Sequence, residues 1–132
     1  MIFVDSSVWI DFFNGFDSLQ KIQLSSYLKQ GKTIFITGIV ISEILAGIKD
    51  NKSFTQIRKI LSDLPFIEPT LDDHVKAAEF YRYLRSKGIT IRSIIDCLIA
   101  VLVTENNLML LCKDRDFEHI QLHFPELDLI KV

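Results

Sequence analysis

The hydrophobic positions of this chain fall into short unbroken blocks rather than period-two alternations. Ile2-Phe3-Val4, Lys32 to Thr37 and Leu108 to Cys112 read as strands buried on both faces, and Leu127 to Ile130 reads as a terminal strand. Helical signals run between them. Ser6 and Ser7 are N-caps for a helix over Val8 to Phe13, which stops at Asn14-Gly15. Asp17 or Ser18 opens a second helix to about Gln30, with Leu19, Ile22 and Tyr27 as its apolar stripe and Gly31 as its stop. A third runs from Val40 to Ile48. Ser53 caps a fourth, which carries Phe54, Ile57, Ile60 and Leu61 and ends at Pro65. Phe66 to Pro69 is a brief edge strand at best, because Pro69 lacks a donor. Thr70-Leu71-Asp72-Asp73 has the capping-box pattern and opens a fifth helix with Val75, Ala78, Tyr81 and Leu84, ended by Gly88. Ser93 to Val103 is apolar on every side and reads as a buried helix that ends at Glu105-Asn106-Asn107. A short last helix lies around Glu118-His119-Ile120, before Pro125.

Strands that are continuous apolar runs, alternating with helices, predict an α/β domain with a central, mostly parallel sheet of 4 to 5 strands covered on both faces. No repeat, low-complexity tract or linker divides residues 1–132, so one domain is expected.

Four acids break the apolar blocks. Asp5 follows Ile2-Phe3-Val4, Glu43 lies in Ile39 to Leu45, Asp96 lies inside the buried helix, and Asp114 follows Leu108 to Lys113. Ionised carboxylates in apolar surroundings are costly unless paired. In a parallel sheet the site lies at the carboxyl ends of the strands, where Asp5 and Asp114 stand. Each acid also has a purely local reading. Asp5 suits a strand end or N-cap, and Ser93-Ile94-Ile95-Asp96 matches a capping box. Glu43 suits an exposed helix position, and Asp114 and Asp116 suit a turn and an N-cap. Taken together, three or four acids around one pocket suit a hard divalent cation such as Mg²⁺ or Mn²⁺, which prefers oxygen ligands. Without an ion such carboxylates repel one another, and some pKa values rise. An ion held this way suits phosphodiester hydrolysis.

Composition narrows the field. The 132 residues are 48% hydrophobic and 24% charged, the balance of a globular chain. The longest apolar run is too short to span a membrane, and no basic region precedes the N-terminal apolar residues, so the chain reads as cytoplasmic. Cys97 and Cys112 sit in apolar stretches outside any Cys-x-x-Cys pair and read as buried, reduced thiols. His74, His119 and His123 have no zinc-ligand spacing. The net charge of -2 opposes a simple nucleic-acid-coating role, so any nucleic-acid chemistry needs a metal ion and local cations. Arg92, Lys113 and Arg115 adjoin the acids in sequence and suit phosphate contacts, or equally a solvated surface.

The residues also carry a family resemblance. Ile2 to Asp11 resembles the opening of a PIN domain, Thr37 to Gly47 its second motif, Arg92 to Ala100 its third and Leu111 to Phe117 its fourth. The order and compact length resemble the VapC toxins of bacterial toxin–antitoxin pairs. The resemblance implies a three-layer α/β/α fold and a Mg²⁺- or Mn²⁺-dependent endoribonuclease. It places Asp5, Glu43, Asp96 and Asp114 in the acidic pocket, with Asp5 and Asp96 as direct ligands and Asp116 as an outer or second-metal residue. Ser6 corresponds to a small hydroxyl residue that helps orient the pocket. The resemblance further implies an RNA substrate, a homodimer and a small antitoxin protein whose tail blocks the site. Three other readings remain. A receiver-like signalling domain needs an Asp after a middle strand, where this chain has Thr37-Gly38. A haloacid-dehalogenase-type phosphatase needs Asp-x-Asp, where it has Asp5-Ser6-Ser7. A non-catalytic RNA-binding or scaffolding version of the same fold predicts missing pocket acids.

Overall fold

The structure is a computed structural model describing residues 1–132. Four strands form one parallel sheet: β1 (Ile2–Val4), β2 (Ile34–Phe35), β3 (Met109–Leu111) and β4 (Asp128–Leu129), in the order β2-β1-β3-β4. Ile2 and Phe3 pair with Ile34 and Phe35 on one side, and Ile2, Phe3 and Val4 with Met109, Leu110 and Leu111 on the other. Phe66 makes an isolated parallel bridge to Ile36, so the segment before Pro69 extends the β2 side without becoming a strand. Thr37 Oγ1 donates to Ile67 O at 2.7 Å and ties this edge down.

Seven helices cover the sheet in a three-layer α/β/α arrangement: α1 (Ser6–Asn14), α2 (Leu19–Lys29), α3 (Gly38–Ala46), α4 (Asn51–Ser62), α5 (Leu71–Ser86), α6 (Ile94–Glu105) and α7 (Asp116–His123). α1 packs on α2 and α3, and α3 on α4, while α6 packs on α5 and α7. α6 is buried without a break from Asp96 to Val103, as its all-round apolar character predicts.

Several local expectations are corrected. The N-cap of α1 is Asp5, not Ser6 or Ser7. The Asp5 amide still pairs with Leu111 O at 3.0 Å, so the chain turns into the helix immediately after it. The N-cap of α4 is Asp50, whose carboxylate accepts from Ser53 N at 2.8 Å. On α2, Leu19 and Ile22 face solvent, and Leu24 is the buried residue. On α5, Val75 is exposed, and the buried side is Asp73, Ala77 and Leu84. Steps of three fall short of a full turn, so a stripe drawn from Val75 to Leu84 slides around the helix. The capping box at Thr70 is real: Asp73 N donates to Thr70 Oγ1 at 3.1 Å and Thr70 N to Asp73 Oδ2 at 2.8 Å.

Candidate active site

The chain runs from β1 outward to β2, then crosses back to β3 and outward to β4, so the winding reverses between β1 and β3. At that reversal the strand ends leave a crevice, the usual ligand position in parallel sheets. Here it is a cleft of about 300 Å³ lined by Asp5, Ser6, Ser7, Glu43, Arg92, Ser93, Asp96 and Asp114, with no apolar residue.

Four elements deliver the acids. Asp5 directly follows β1 and is 6% exposed. Its side chain makes no capping bond to α1, so the capping reading does not account for it. Ser7 Oγ donates to Asp5 Oδ2 at 3.4 Å. Glu43 projects from the second turn of α3 and is exposed to the cleft. Asp96 stands in the first turn of α6, 9% exposed. The capping box at Ser93 does not form: Ser93 Oγ accepts from Ile95 N at 3.1 Å, and Asp96 is left to the cleft. Asp114 follows β3, and its Oδ1 accepts from Asp116 N at 2.9 Å. Carboxylate oxygens of Asp96, Asp114 and Asp116 lie within 4.8 Å of one another. Asp116 therefore joins the cluster, although it does not line the cleft itself.

The basic residues divide. Arg92 lines the cleft: its Nη2 donates to Asp114 Oδ2 at 2.9 Å and its Nε to Asp116 Oδ2 at 3.4 Å. Lys113 is committed elsewhere, with Nζ 2.6 Å from Asp11 Oδ2 and over the Phe16 ring at 5.3 Å. Arg115 is exposed at the N-cap of α7, outside the cleft lining. Ser7 and Ser93 line the cleft although only their capping potential was evident in sequence. The signal for both was adjacency to an acid at a helix N-terminus.

The electrostatics follow from the crowding. Burial pushes the Asp5 carboxyl from its ordinary 3.8 up to about 6, with Glu43 and Asp114 adding repulsion and the Ser6 amide and Ser7 hydroxyl opposing it. Burial, then the charges of Asp5, Asp114, Asp116 and Glu43, push Asp96 up to about 7. Burial likewise raises both thiols, Cys97 and Cys112, to about 12, and both are free. They are protonated small side chains, not nucleophiles. The cleft is thus an all-oxygen donor set with excess negative charge, which suits a hard divalent cation.

A parallel sheet wound this way, with carboxylates gathered at the reversal, defines a class of α/β domain with an acidic cleft at its strand ends. The chain belongs to the PIN domain family, which matches residues 2–122. It is similar to the VapC ribonuclease Mb1587 of Mycobacterium bovis and to ribonuclease VapC11 of Mycobacterium tuberculosis, each 32% identical over 124 residues and covering 91% of both chains. In fold it is similar to VapBC2 of Rickettsia felis, solved bound to a promoter DNA fragment (TM-score 0.75, 24% identity, 98% of each chain). It is also similar to FitAcB of Neisseria gonorrhoeae (TM-score 0.66, 18% identity, 99% of this chain and 97% of that one).

Proposed function

We infer that this chain is a metal-dependent endoribonuclease and the toxin of a toxin–antitoxin pair. The observation that carries the reading is the cleft itself, with four acids from the residue after β1, from α3, from α6 and from the segment after β3, and no apolar lining. Similarity to the VapC ribonucleases along nearly the whole chain supports RNA as substrate. Similarity in fold to toxin–antitoxin complexes is consistent with a small antitoxin protein as partner. On this reading residues 1–132 work as one PIN domain, in a homodimer in the cytoplasm, and no helix is long and apolar enough to cross a membrane.

Asp5 and Asp96 are the proposed direct ligands of Mg²⁺ or Mn²⁺, with Glu43 and Asp114 completing the oxygen set and Asp116 in a supporting position. A bound divalent ion supplies charge stabilisation for in-line phosphodiester hydrolysis and lowers the pKa of its water. The chain's own residues prepare that chemistry. Asp114 is fixed by the Asp116 amide, so its carboxylate is oriented before any ligand arrives. Ser7 steadies Asp5. Ser6 and Ser93 stand at the N-termini of α1 and α6, whose partial positive charge favours a phosphate. Arg92 is the cleft cation available for an RNA phosphate. Lys113 and Arg115 are not needed for this reading.

The test is induced expression in a bacterial host, with mapping of new RNA 5′ or 3′ ends. The wild-type chain is expected to arrest growth and to produce discrete cuts, and Asp96→Asn to do neither at equal protein level. Equal arrest and equal cutting by the variant would refute the assignment.

A further inference from the structure

The cleft holds one cation of its own, and it is bound to the acids. Arg92 makes two side-chain bonds, from Nη2 to Asp114 Oδ2 at 2.9 Å and from Nε to Asp116 Oδ2 at 3.4 Å. Its backbone amide adds a third, to Asp116 Oδ2 at 3.2 Å. Asp114 and Asp116 are two of the three acids in the tightest cluster, the third being Asp96. The partners differ in freedom. The Arg92 side chain is 76% exposed, whereas Asp114 and Asp116 are 23% and 15% exposed. Its backbone is held beside buried Ile91, in the irregular connector between α5 and α6. The guanidinium can therefore leave by side-chain rotation alone, while the acids stay where they are.

We propose that Arg92 is a built-in counter-cation: it occupies the Asp114–Asp116 pair in the metal-free protein, a divalent ion displaces it, and the released guanidinium turns to a phosphate of the RNA. The proposal rests on the metal-dependent ribonuclease reading and deepens it. A single guanidinium faces Asp5, Glu43, Asp96, Asp114 and Asp116, so it neutralises the cluster only in part. A divalent ion brings twice the charge to the same cluster and repels Arg92. Release needs only a side-chain rotation into solvent, because the Arg92 side of the pair is 76% exposed. The freed fork of donors matches a phosphate as well as it matched two carboxylates. Metal arrival and substrate capture are thereby linked through one side chain.

The experiment is a Mn²⁺ titration of metal-free protein, read by the electron paramagnetic resonance signal of free Mn²⁺, with no RNA present. Arg92→Gln is expected to bind Mn²⁺ about fivefold to tenfold more tightly than wild type, at the low end of usual coupling between sites. Arg92→Lys keeps the competing charge and is expected to stay near wild type. A filter-binding assay with RNA in Ca²⁺, a cation held by oxygen ligands that lowers the pKa of its water little, is expected to show weaker binding by Arg92→Gln. Equal or weaker Mn²⁺ binding by Arg92→Gln, with an unchanged melting temperature, would overturn the proposal, since a merely structural Arg92 predicts loss of affinity. Wild-type protein that binds Mn²⁺ but cuts no RNA would refute the ribonuclease reading, leaving the comparison of Mn²⁺ affinities to stand. Wild-type protein that binds no Mn²⁺ would refute both.

Discussion

Asp96 shows how a local motif yields to its surroundings. Sequence permits Ser93-Ile94-Ile95-Asp96 to close a capping box, yet Ser93 accepts from Ile95 N alone and Asp96 is spent on the cleft. Thr70-Leu71-Asp72-Asp73 has the same spacing and closes both bonds. The difference is what lies opposite: Asp96 faces Asp5, Asp114, Asp116 and Glu43, which raise its pKa together with burial. That shift has a stability consequence. The folded values of about 6 for Asp5 and about 7 for Asp96 lie above the unfolded 3.8, so the folded state holds these protons more tightly. Their contribution to stability is fully present below pH 3.8 and is lost as pH rises through the folded values. The melting temperature of the metal-free protein, followed by circular dichroism, is therefore expected to fall between about pH 4 and pH 7, and the fall should shrink in Asp96→Asn. Added Mn²⁺ is expected to raise it more at pH 8 than at pH 5.5, because the ion binds ionised carboxylates. A metal-free melting temperature that climbs steadily across that window would contradict the crowded-acid account.

At the scale of elements, α6 and α5 divide what sequence can say. α6 was legible because it is apolar on every side, and Asp96 to Val103 are indeed buried. α5 was legible as a helix, from its capping box and Gly88, but its inward face was not. It packs against α6, and only coordinates reveal which turn of a half-polar helix meets that neighbour. Ile99 is 0% exposed in the middle of α6, so Ile99→Ala is expected to cost about 2–5 kcal/mol in urea unfolding. Thr70→Ala removes one cap acceptor and is expected to cost about 1 kcal/mol. Similar losses at the two positions would mean that α6 is less well packed than described. The short strands β2 and β4 were legible as apolar segments but not in length, because pairing depends on neighbours remote in sequence.

At the scale of the whole molecule, the acids were legible before the pocket was. Asp5, Glu43, Asp96 and Asp114 each stood out in an apolar block, and strand order brings them to one crevice. The neighbouring cations were less legible. Arg92, Lys113 and Arg115 look alike in sequence, and a partner 102 residues away, Asp11, takes Lys113 from the site. With a net charge of -2 and one cleft cation, RNA binding is expected to depend weakly on salt. Each neutralised phosphate of a single strand contributes a slope of about −0.7 in log K against log salt, so a total slope near −1 to −2 is expected. A slope several times steeper, in filter binding to RNA in Ca²⁺, would point to a basic surface that the cleft does not contain.

Cleavage of RNA by this acidic cleft, as proposed above, requires both a divalent ion and Asp96. Its most direct test is to incubate purified protein with total cellular RNA in Mn²⁺, in Mg²⁺ and in chelator, with Asp96→Asn alongside. The account predicts discrete fragments that vanish in chelator and fall by about a hundredfold or more in the variant. Fragments of equal yield in chelator, or from Asp96→Asn, would contradict it.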